Sequence, residues 1–521
     1  MITSSFFNRQ RLGNKLFIYA SLLGISKQND TDVSFIWEYD KYFNHKLTKK
    51  GLEHSRLVNA NELNFHYDEY KFKNYKLDFD FLGYFQSEKY WEKDVDYVKE
   101  KLSFKQEYID KADKLLSFIP YKKKIAIHIR RGDYVDNPNY VLLPPIYYIK
   151  ALIDNFPDWR DYGIMIFSDD IPYCRVHFGC LDNVYFADGN SDIEDLILMT
   201  RCDHFIISNS SYSWWGAYLG EKKDSIVVRP KHHFAGKLLE THDIKDLYPE
   251  HWKVHDHTER LDFKDVEFVI PVKYDHDHRK QNLALVVCML QNEYNANVVI
   301  YEDLSNSNSA SVEGIKYAVS CEYFVTRNIK YFHRTKMLNE MFVGSKRKVV
   351  VNYDADVIIP PMQMYLAVEA IRNGYDMVYP YDGRFARMER ITWFKEIEKR
   401  LDIGFVKNTI FNGMKLHDNL HSVGGCILFN RDSFLEGGGE NEEFISFGDE
   451  DNERYYRFTV LGYKVKRIKG VLYHMNHFTG PDSSTKNPYW KKNRELWNKI
   501  KQMNKEELLE YIKQKFTWKI K

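Results

Sequence analysis

The segment Val349-Val-Val-Asn-Tyr-Asp354-Ala-Asp356-Val-Ile-Ile359 sets two carboxylates one residue apart behind a run of β-branched residues. Such a run reads as a buried strand, so both acids stand at its carboxyl end. Paired hard oxygen donors suit Mn²⁺ or Mg²⁺, and a cation there neutralises charge developing on a departing phosphate. Acidic residues cap many strands, so the pair gains meaning from its surroundings. His474-Met-Asn-His477 follows the apolar Gly470-Val-Leu-Tyr473, and one imidazole would complete a mixed oxygen–nitrogen shell with Asp354 and Asp356. Val423-Gly424-Gly425 permits close backbone approach to a bound sugar. Phe447-Gly448-Asp449-Glu450-Asp451 offers a carboxylate that could take a proton from a hydroxyl, and crowding of like charges raises its proton affinity. By spacing alone, a solvated acidic loop or a calcium site fits that turn equally well.

A second constellation lies in the first half. His128-Ile-Arg130-Arg131-Gly132-Asp133-Tyr134 continues the strand-like Ile125-Ala-Ile-His-Ile129. The carboxyl end of a strand followed by a glycine turn is where open α/β sheets hold nucleotides. An arginine there can fork onto a diphosphate and do electrostatically what a metal would otherwise do. For Arg-Gly-Asp alone, a surface turn with a structural Arg–Asp pair is the competing reading. Three further segments accompany it: Arg11-Leu-Gly13-Asn14-Lys-Leu-Phe17, Phe167-Ser-Asp169-Asp170, and Ser208-Asn209-Ser210-Ser211-Tyr-Ser213-Trp214-Trp215-Gly216.

The elements that must position these groups alternate. Residues 125–129, 163–167, 204–208 and 225–229 read as short buried strands, with helical patterns such as 193–201 between them, the βαβ rhythm of a parallel sheet. After Leu247-Tyr-Pro-Glu-His-Trp252 the rhythm stops, and a fresh strand begins at Val266. A chain of 521 residues is too long for one core. The expected division is a domain over 1–256, a linker over 257–265, a second α/β domain over 266–488 and a basic amphipathic helical tail over 489–521. With 75 basic and 74 acidic side chains the net charge is +1, which argues against a nucleic-acid partner. Six scattered cysteines read as reduced thiols, and no apolar run approaches a membrane span. The expectation is a cytoplasmic protein, with the basic tail as a candidate peripheral membrane contact. No G-x-G-x-x-G follows an early strand, which disfavours a dinucleotide enzyme such as an epimerase.

Taken in order, the N-terminal motifs resemble the α-1,2-fucosyltransferase family over residues 1–255. The family's Gly-Gly before Leu-Gly-Asn is replaced here by Gln10-Arg11. The resemblance implies a GT-B-like domain of two facing Rossmann-like subdomains, GDP-fucose as donor and no metal. By matching positions, Arg130 would hold the β-phosphate and His128 the nucleoside or adjacent phosphate. Asp169 or Asp170 would accept from the guanine, with Asn14, Ser210 and Ser211 completing the donor site. Asp133 is the nearest carboxylate for a base, and it could equally brace Arg130 or Arg131. Trp214 and Trp215 are expected in the core.

Residues 265–480 resemble inverting GT-A glycosyltransferases, nearest to family 2 and the β-1,4-galactosyltransferase-like catalytic region. Supporting marks are Phe268-Val-Ile-Pro271, Arg279-x-x-Asn-Leu283 and Glu302-Asp303. The resemblance implies that Asp356 ligates Mn²⁺, with Asp354 on the ribose or the metal and His474 or His477 as the other ligand. Asp451 would be the base, Glu450 would bind the acceptor sugar, and Pro271, Arg279, Glu302 and Gly425 would flank a UDP-sugar. UDP-galactose is the first expectation, then UDP-N-acetylhexosamine or UDP-glucose. The whole reads as an α/β bifunctional glycosyltransferase, a GT-B-like domain fused to a GT-A domain, acting on a glycan or glycoconjugate. The competing reading has one half as a degenerate, non-catalytic sugar-binding module.

Overall fold

The apolar runs of the first half pair side by side, as βαβ connections require. In the computed structural model, residues 1–35, 37–46, 57–71, 77–305, 311–315, 321–327, 331–388, 397–405, 415–417, 421–480 and 484–515 are described. The chain gathers into two units, Met1–Cys174 with Asp182–Glu259, and Arg260–Lys521 with Arg175–Leu181.

The first unit holds two sheets. A small parallel one, order β1-β3-β2, joins β1 (Ile2–Thr3), β2 (Leu57–Asn61) and β3 (Asp78–Leu82). The larger has six parallel strands: β4 (Lys124–Ile129), β5 (Gly163–Ser168), β6 (Val184–Phe186), β7 (His204–Ile206), β8 (Val227–Pro230) and β9 (Lys253–His255), in the order β6-β5-β4-β7-β8-β9. Helix Leu12–Gln28 is buried along nearly its whole length. Its Phe17 packs 4.5 Å from Trp214 and 5.2 Å from Trp215, which are core residues as expected.

The second unit is built on a seven-stranded mixed sheet, order β12-β11-β10-β13-β18-β15-β19. Its strands are β10 (Leu261–Val272), β11 (Tyr294–Asp303), β12 (Glu322–Thr326), β13 (Val349–Tyr353), β15 (Met377–Tyr379), β18 (Cys426–Asn430) and β19 (Val465–Arg467). β12 to β13 run parallel, and β18 is antiparallel to both its neighbours. A smaller sheet, order β14-β20-β16-β17, joins β14 (Val357–Ile358), β16 (Arg384–Met388), β17 (Lys415–His417) and β20 (Val471–Met475).

Two boundaries differ from expectation. The stretch 257–265 is not all linker, because β10 starts at Leu261 and pairs there with Tyr294 before a register shift ahead of Glu267. Leu261 and Phe263 are buried while Asp262 and Lys264 face out, the alternation of a half-buried strand that a charge-based reading hides. The tail forms helices Trp490–Ile500 and Lys505–Lys515, and residues 516–521 lie outside the described residues. Ile500, Leu508, Tyr511 and Ile512 pack against Phe444, so most of the tail's apolar face is spent inside the unit and not left for a membrane. Among the described residues no helix is long and apolar enough to cross a membrane. Leu508 is fully buried in this cluster, so Leu508→Ala should destabilise the C-terminal unit by about 2–5 kcal/mol, read as a lowered urea midpoint.

Candidate active sites

Each unit carries its own pocket. In the first, of about 600 Å³, the lining comes from the carboxyl ends of β4, β5, β7 and β8 and from the segment opening helix Leu12–Gln28. Ser210 caps helix Ser211–Gly220, its Oγ accepting from Tyr212 N at 3.3 Å, so that helix begins at the pocket wall. Unsatisfied N–H groups and the positive end of the dipole make such a terminus a seat for phosphate. Asn14 Oδ1 accepts from Ser211 Oγ at 2.6 Å and from Gln86 Nε2 at 2.9 Å. Gly13 is what allows this approach, since a Cβ there would stand 2.5 Å from Tyr212 N.

Arg130 lines the pocket together with two other cationic side chains, Arg11 and Lys15. It pairs with Asp169 Oδ2 at 2.7 Å and with Asp133, and its guanidinium lies 5.5 Å from the Tyr134 ring. Asp133 also meets Arg11 at 3.3 Å, so it sits between two guanidinium groups. Gly132 leaves room for Asp169, whose Oδ2 would be 2.4 Å from an added Cβ. His128 is buried beside Ser208 Oγ at 2.9 Å. Burial, and then the Arg130 charge, push its pKa down to about 3, so the imidazole is neutral and acts through hydrogen bonds. Asp170 is placed otherwise than Asp169. It does not line the pocket; it accepts from Arg131 Nε at 3.2 Å and from Tyr173 N at 3.2 Å, bracing the next helix. His233, Tyr140 and Phe234 line the same pocket and escaped the motif reading. The signal was Lys231-His-His-Phe234 directly after β8, the same strand-end position that marks His128.

The second pocket, about 500 Å³, opens at the ends of β10 and β13 and includes Pro271, Arg279, Asp354, Asp356, Glu450, Asp451, His474 and His477. β14 pairs with β20 so that Val357 faces His474, which draws the histidines to the carboxylates. Asp356 lies 2.9 Å from His477 Nε2 and 3.6 Å from His474 Nε2, and a ligand atom from each of the three falls within 4.8 Å of the others. Burial opposes the charge on Asp356, but His474, His477 and Arg279 outweigh it and hold the carboxyl well below the usual range. Asp354 stands outside this trio and pairs instead with Arg334 at 3.5 Å.

Arg334 is the residue the motif search missed. It opens helix Arg334–Gly344, yet reaches Asp354, Glu450 at 3.5 Å and Asp451 at 3.3 Å. A cation at a helix N-terminus opposes the dipole, so the carboxylates hold it there. Burial, then the Asp451 charge, raise the Glu450 pKa; Asp451 is held down, against burial, by Arg334 and Arg454. The two carboxylates are thereby pushed toward different protonation states. Gly424 makes room for Asp451, whose Oδ2 would be 2.5 Å from an added Cβ. Two expected donor residues do not line the pocket. Glu302 is fully buried and accepts from Ser311 Oγ at 2.6 Å and Val312 N at 3.0 Å, anchoring the backbone after β11. Gly425, at φ +84°, packs its Cα face toward Leu472, and its carbonyl accepts from Asp354 N at 2.8 Å.

Residues 4–255 match the family model for glycosyl transferase family 11, and residues 411–480 match one described as the N-terminal domain of galactosyltransferase. The O-antigen biosynthesis glycosyltransferase WbnK of Escherichia coli is 40% identical over 22% of this chain and 43% of its own length. An α-1,2-colitosyltransferase of Escherichia coli is 26% identical over 46% of this chain and 94% of its own. A galactoside 2-α-L-fucosyltransferase of Caenorhabditis elegans is 27% identical over 33% and 50%. The chain thus spans less than half of the first relative and nearly all of the second. Among solved structures, a Drosophila β-1,4-galactosyltransferase 7 mutant with manganese, UDP-Gal and xylobiose is 12% identical over 40% of this chain and 65% of that one, TM-score 0.25. Glucosyl-3-phosphoglycerate synthase of Mycobacterium tuberculosis is 14% identical over 42% and 74%, TM-score 0.27. The N-terminal half thus carries a family 11, fucosyltransferase-like glycosyltransferase domain, and residues 411–480 of the C-terminal half are galactosyltransferase-like.

Proposed function

We propose that the chain is bifunctional. Its N-terminal unit transfers fucose from GDP-fucose in α-1,2 linkage to a β-galactosyl-type glycan, without a metal. Its C-terminal unit adds a β-linked hexose, galactose first, from a UDP-sugar with Mn²⁺ or Mg²⁺. The observation that carries this reading is the contrast between the two pockets: Arg130 beside a helix N-terminus in one, an Asp–His–His cluster in the other. The two parallel sheets of the first unit are read as the halves of a GT-B arrangement and the mixed sheet of the second as GT-A.

In the N-terminal site Arg130 and the Ser210–Ser211 turn take the diphosphate, Asp169 the base, and neutral His128 a hydrogen bond to the donor. In the C-terminal site one carboxylate oxygen and two imidazoles form a donor set that suits a first-row divalent ion. Asp356, His474 and His477 would hold it, and when bound it supplies Lewis-acid neutralisation of the leaving diphosphate. Asp451, kept ionised by Arg334 and Arg454, takes the proton of the acceptor hydroxyl as that oxygen bonds to the anomeric carbon and the bond to UDP breaks. Glu450, pushed toward its neutral form, donates a hydrogen bond to the acceptor sugar.

A second reading of the N-terminal donor follows from the relative matched over 94% of its length, an α-1,2-colitosyltransferase. Colitose is fucose without its 3-hydroxyl, so competition between the two GDP-sugars decides which is preferred.

Donor hydrolysis and thermal shift against GDP-fucose, UDP-galactose, UDP-glucose and UDP-N-acetylglucosamine, each with Mn²⁺ and with EDTA, test the pair of sites. GDP-fucose engagement should ignore EDTA, while one UDP-sugar should require Mn²⁺; engagement of a single donor class leaves the other half a binding module. Arg130→Ala should lower fucosyl transfer about 100-fold or more and spare hexosyl transfer, and Asp356→Ala should do the reverse. Equal loss of both activities in either variant would instead report a folding defect. Stability should also depend on pH in a defined direction. Burial lowers both His128 and His233 to about 3, so between that value and the ordinary histidine range the unfolded chain binds protons that the folded chain refuses. Stability should therefore fall as the pH drops below about 6.5, by on the order of 2 kcal/mol per imidazole at pH 5. Thermal midpoints of the N-terminal unit at pH 7.5 and 5 check this.

A further inference from the structure

The N-terminal pocket is polar on one side and aromatic on the other. Starting from Arg130, whose guanidinium lies over Tyr134, the rings form a connected rail. Tyr134 stacks on Tyr140 at 4.3 Å and 21°, Tyr140 lies 5.7 Å from Phe234, and Phe234 is 5.1 Å from both Phe65 and His242. All five rings line the cavity. The rail is fixed by backbone as well as by packing: Tyr140 and Phe234 form an antiparallel bridge, and Ala235 N donates to Asn139 O at 2.8 Å.

Sheet order says which part of the ligands this rail meets. Asp169 follows β5, Arg130 follows β4, Ser210 and Ser211 follow β7, and Phe234 follows β8, and these four strands are neighbours in that order. At about 4.8 Å per strand the pocket floor runs about 14 Å from Asp169 to Phe234, with the phosphate-facing groups in the middle. A nucleotide with its base at Asp169 and its phosphates at Arg130 and Ser211 therefore points its sugar toward β8. What lies beyond the transferred sugar is the acceptor. Tyr140, Phe65 and His242 are half-buried and rest against the buried Tyr134 and Phe234; aromatic rings so placed suit a pyranose, which presents C–H groups on one face and hydroxyls around its edge. A β-galactoside fits this description, since its axial 4-hydroxyl leaves the opposite face a continuous patch of C–H groups.

We propose that the Tyr134–Tyr140–Phe234 rail, closed by Phe65 and His242, is the acceptor subsite of the N-terminal transferase and stacks the apolar face of a terminal β-galactoside. This rests on the donor orientation of the reading above. The test uses the full chain and Tyr140→Ala, with Tyr140→Phe as the variant that keeps the ring. Saturation-transfer NMR reads contact with lactose in the presence of GDP, and calorimetry reads GDP affinity. The expected result is a lactose Kd about tenfold weaker in Tyr140→Ala, restored to within about twofold in Tyr140→Phe, with a GDP Kd that moves less than about twofold in both. GDP weakened tenfold while lactose binding stays would overturn the proposal and make the rail the nucleobase site. Lactose binding unchanged in Tyr140→Ala would overturn it as well. Galactoside contact is read without turnover, so failure of GDP-fucose to bind the unaltered chain would count against the donor reading, while the lactose comparison still decides the rail.

Discussion

Asp275, Asp354, Asp356, Glu450 and Asp451 share the second pocket, and the mutual repulsion of these five carboxylates is the constraint around which that unit is arranged. Two like charges 4 Å apart at a protein surface cost about 4 kcal/mol, so Asp354, Asp356, Glu450 and Asp451 cannot stand together unaided. Three helices each deliver one guanidinium: Arg279 to Asp356, Arg334 to Asp354, Glu450 and Asp451, and Arg454 to Asp451. Arg454 is itself fully buried and anchored on Glu440 at 2.6 Å, and one turn later Arg457 pairs with Glu453 at 2.7 Å. Breaking one partner of such a buried pair leaves an uncompensated charge. The charge balance of the pocket and the seating of helix Glu450–Leu461 are therefore one arrangement, not two.

The first pocket solves the inverse problem. There a positive charge is held among acids, and Asp133 and Asp169 fix Arg130 in place from two sides. A phosphate arriving at Arg130 competes with carboxylates already present, which orients the guanidinium before the ligand comes. Asp170 and Arg131, adjacent in sequence to Asp169 and Arg130, form a separate brace against Tyr173. Neighbouring residues of one motif thus divide between the pocket lining and the scaffold behind it.

Motifs at strand ends were legible from sequence, because a strand's carboxyl end has a fixed place in an α/β sheet. His128, Arg130, Asp169, Asp354 and Asp356 were found by that logic, and β4, β5 and β13 form where the apolar runs stand. Arg334 was not legible, since it sits on a helix with no neighbouring motif and meets its partners only through tertiary packing. Asp170 and Glu302 carry the right chemistry in the right segment but do not line the pockets, and side-chain direction is not written in spacing. The small sheet of β1, β2 and β3 also escaped, because its strands are short, partly polar and far apart in sequence.

Helix Leu12–Gln28 has a consequence for the order in which the chain is made. From Leu12 to Ser26 every residue but Asn14 is buried, and the cover includes Trp214, Trp215 and the start of helix Ser211–Gly220. During synthesis at 5–20 residues per second those partners follow it by roughly 10–40 s. For that interval the helix can pack only on the earlier part of its cover, Phe35, Trp37 and Trp91 among it. The first unit thus carries incompletely covered apolar surface early in translation, which is an aggregation hazard.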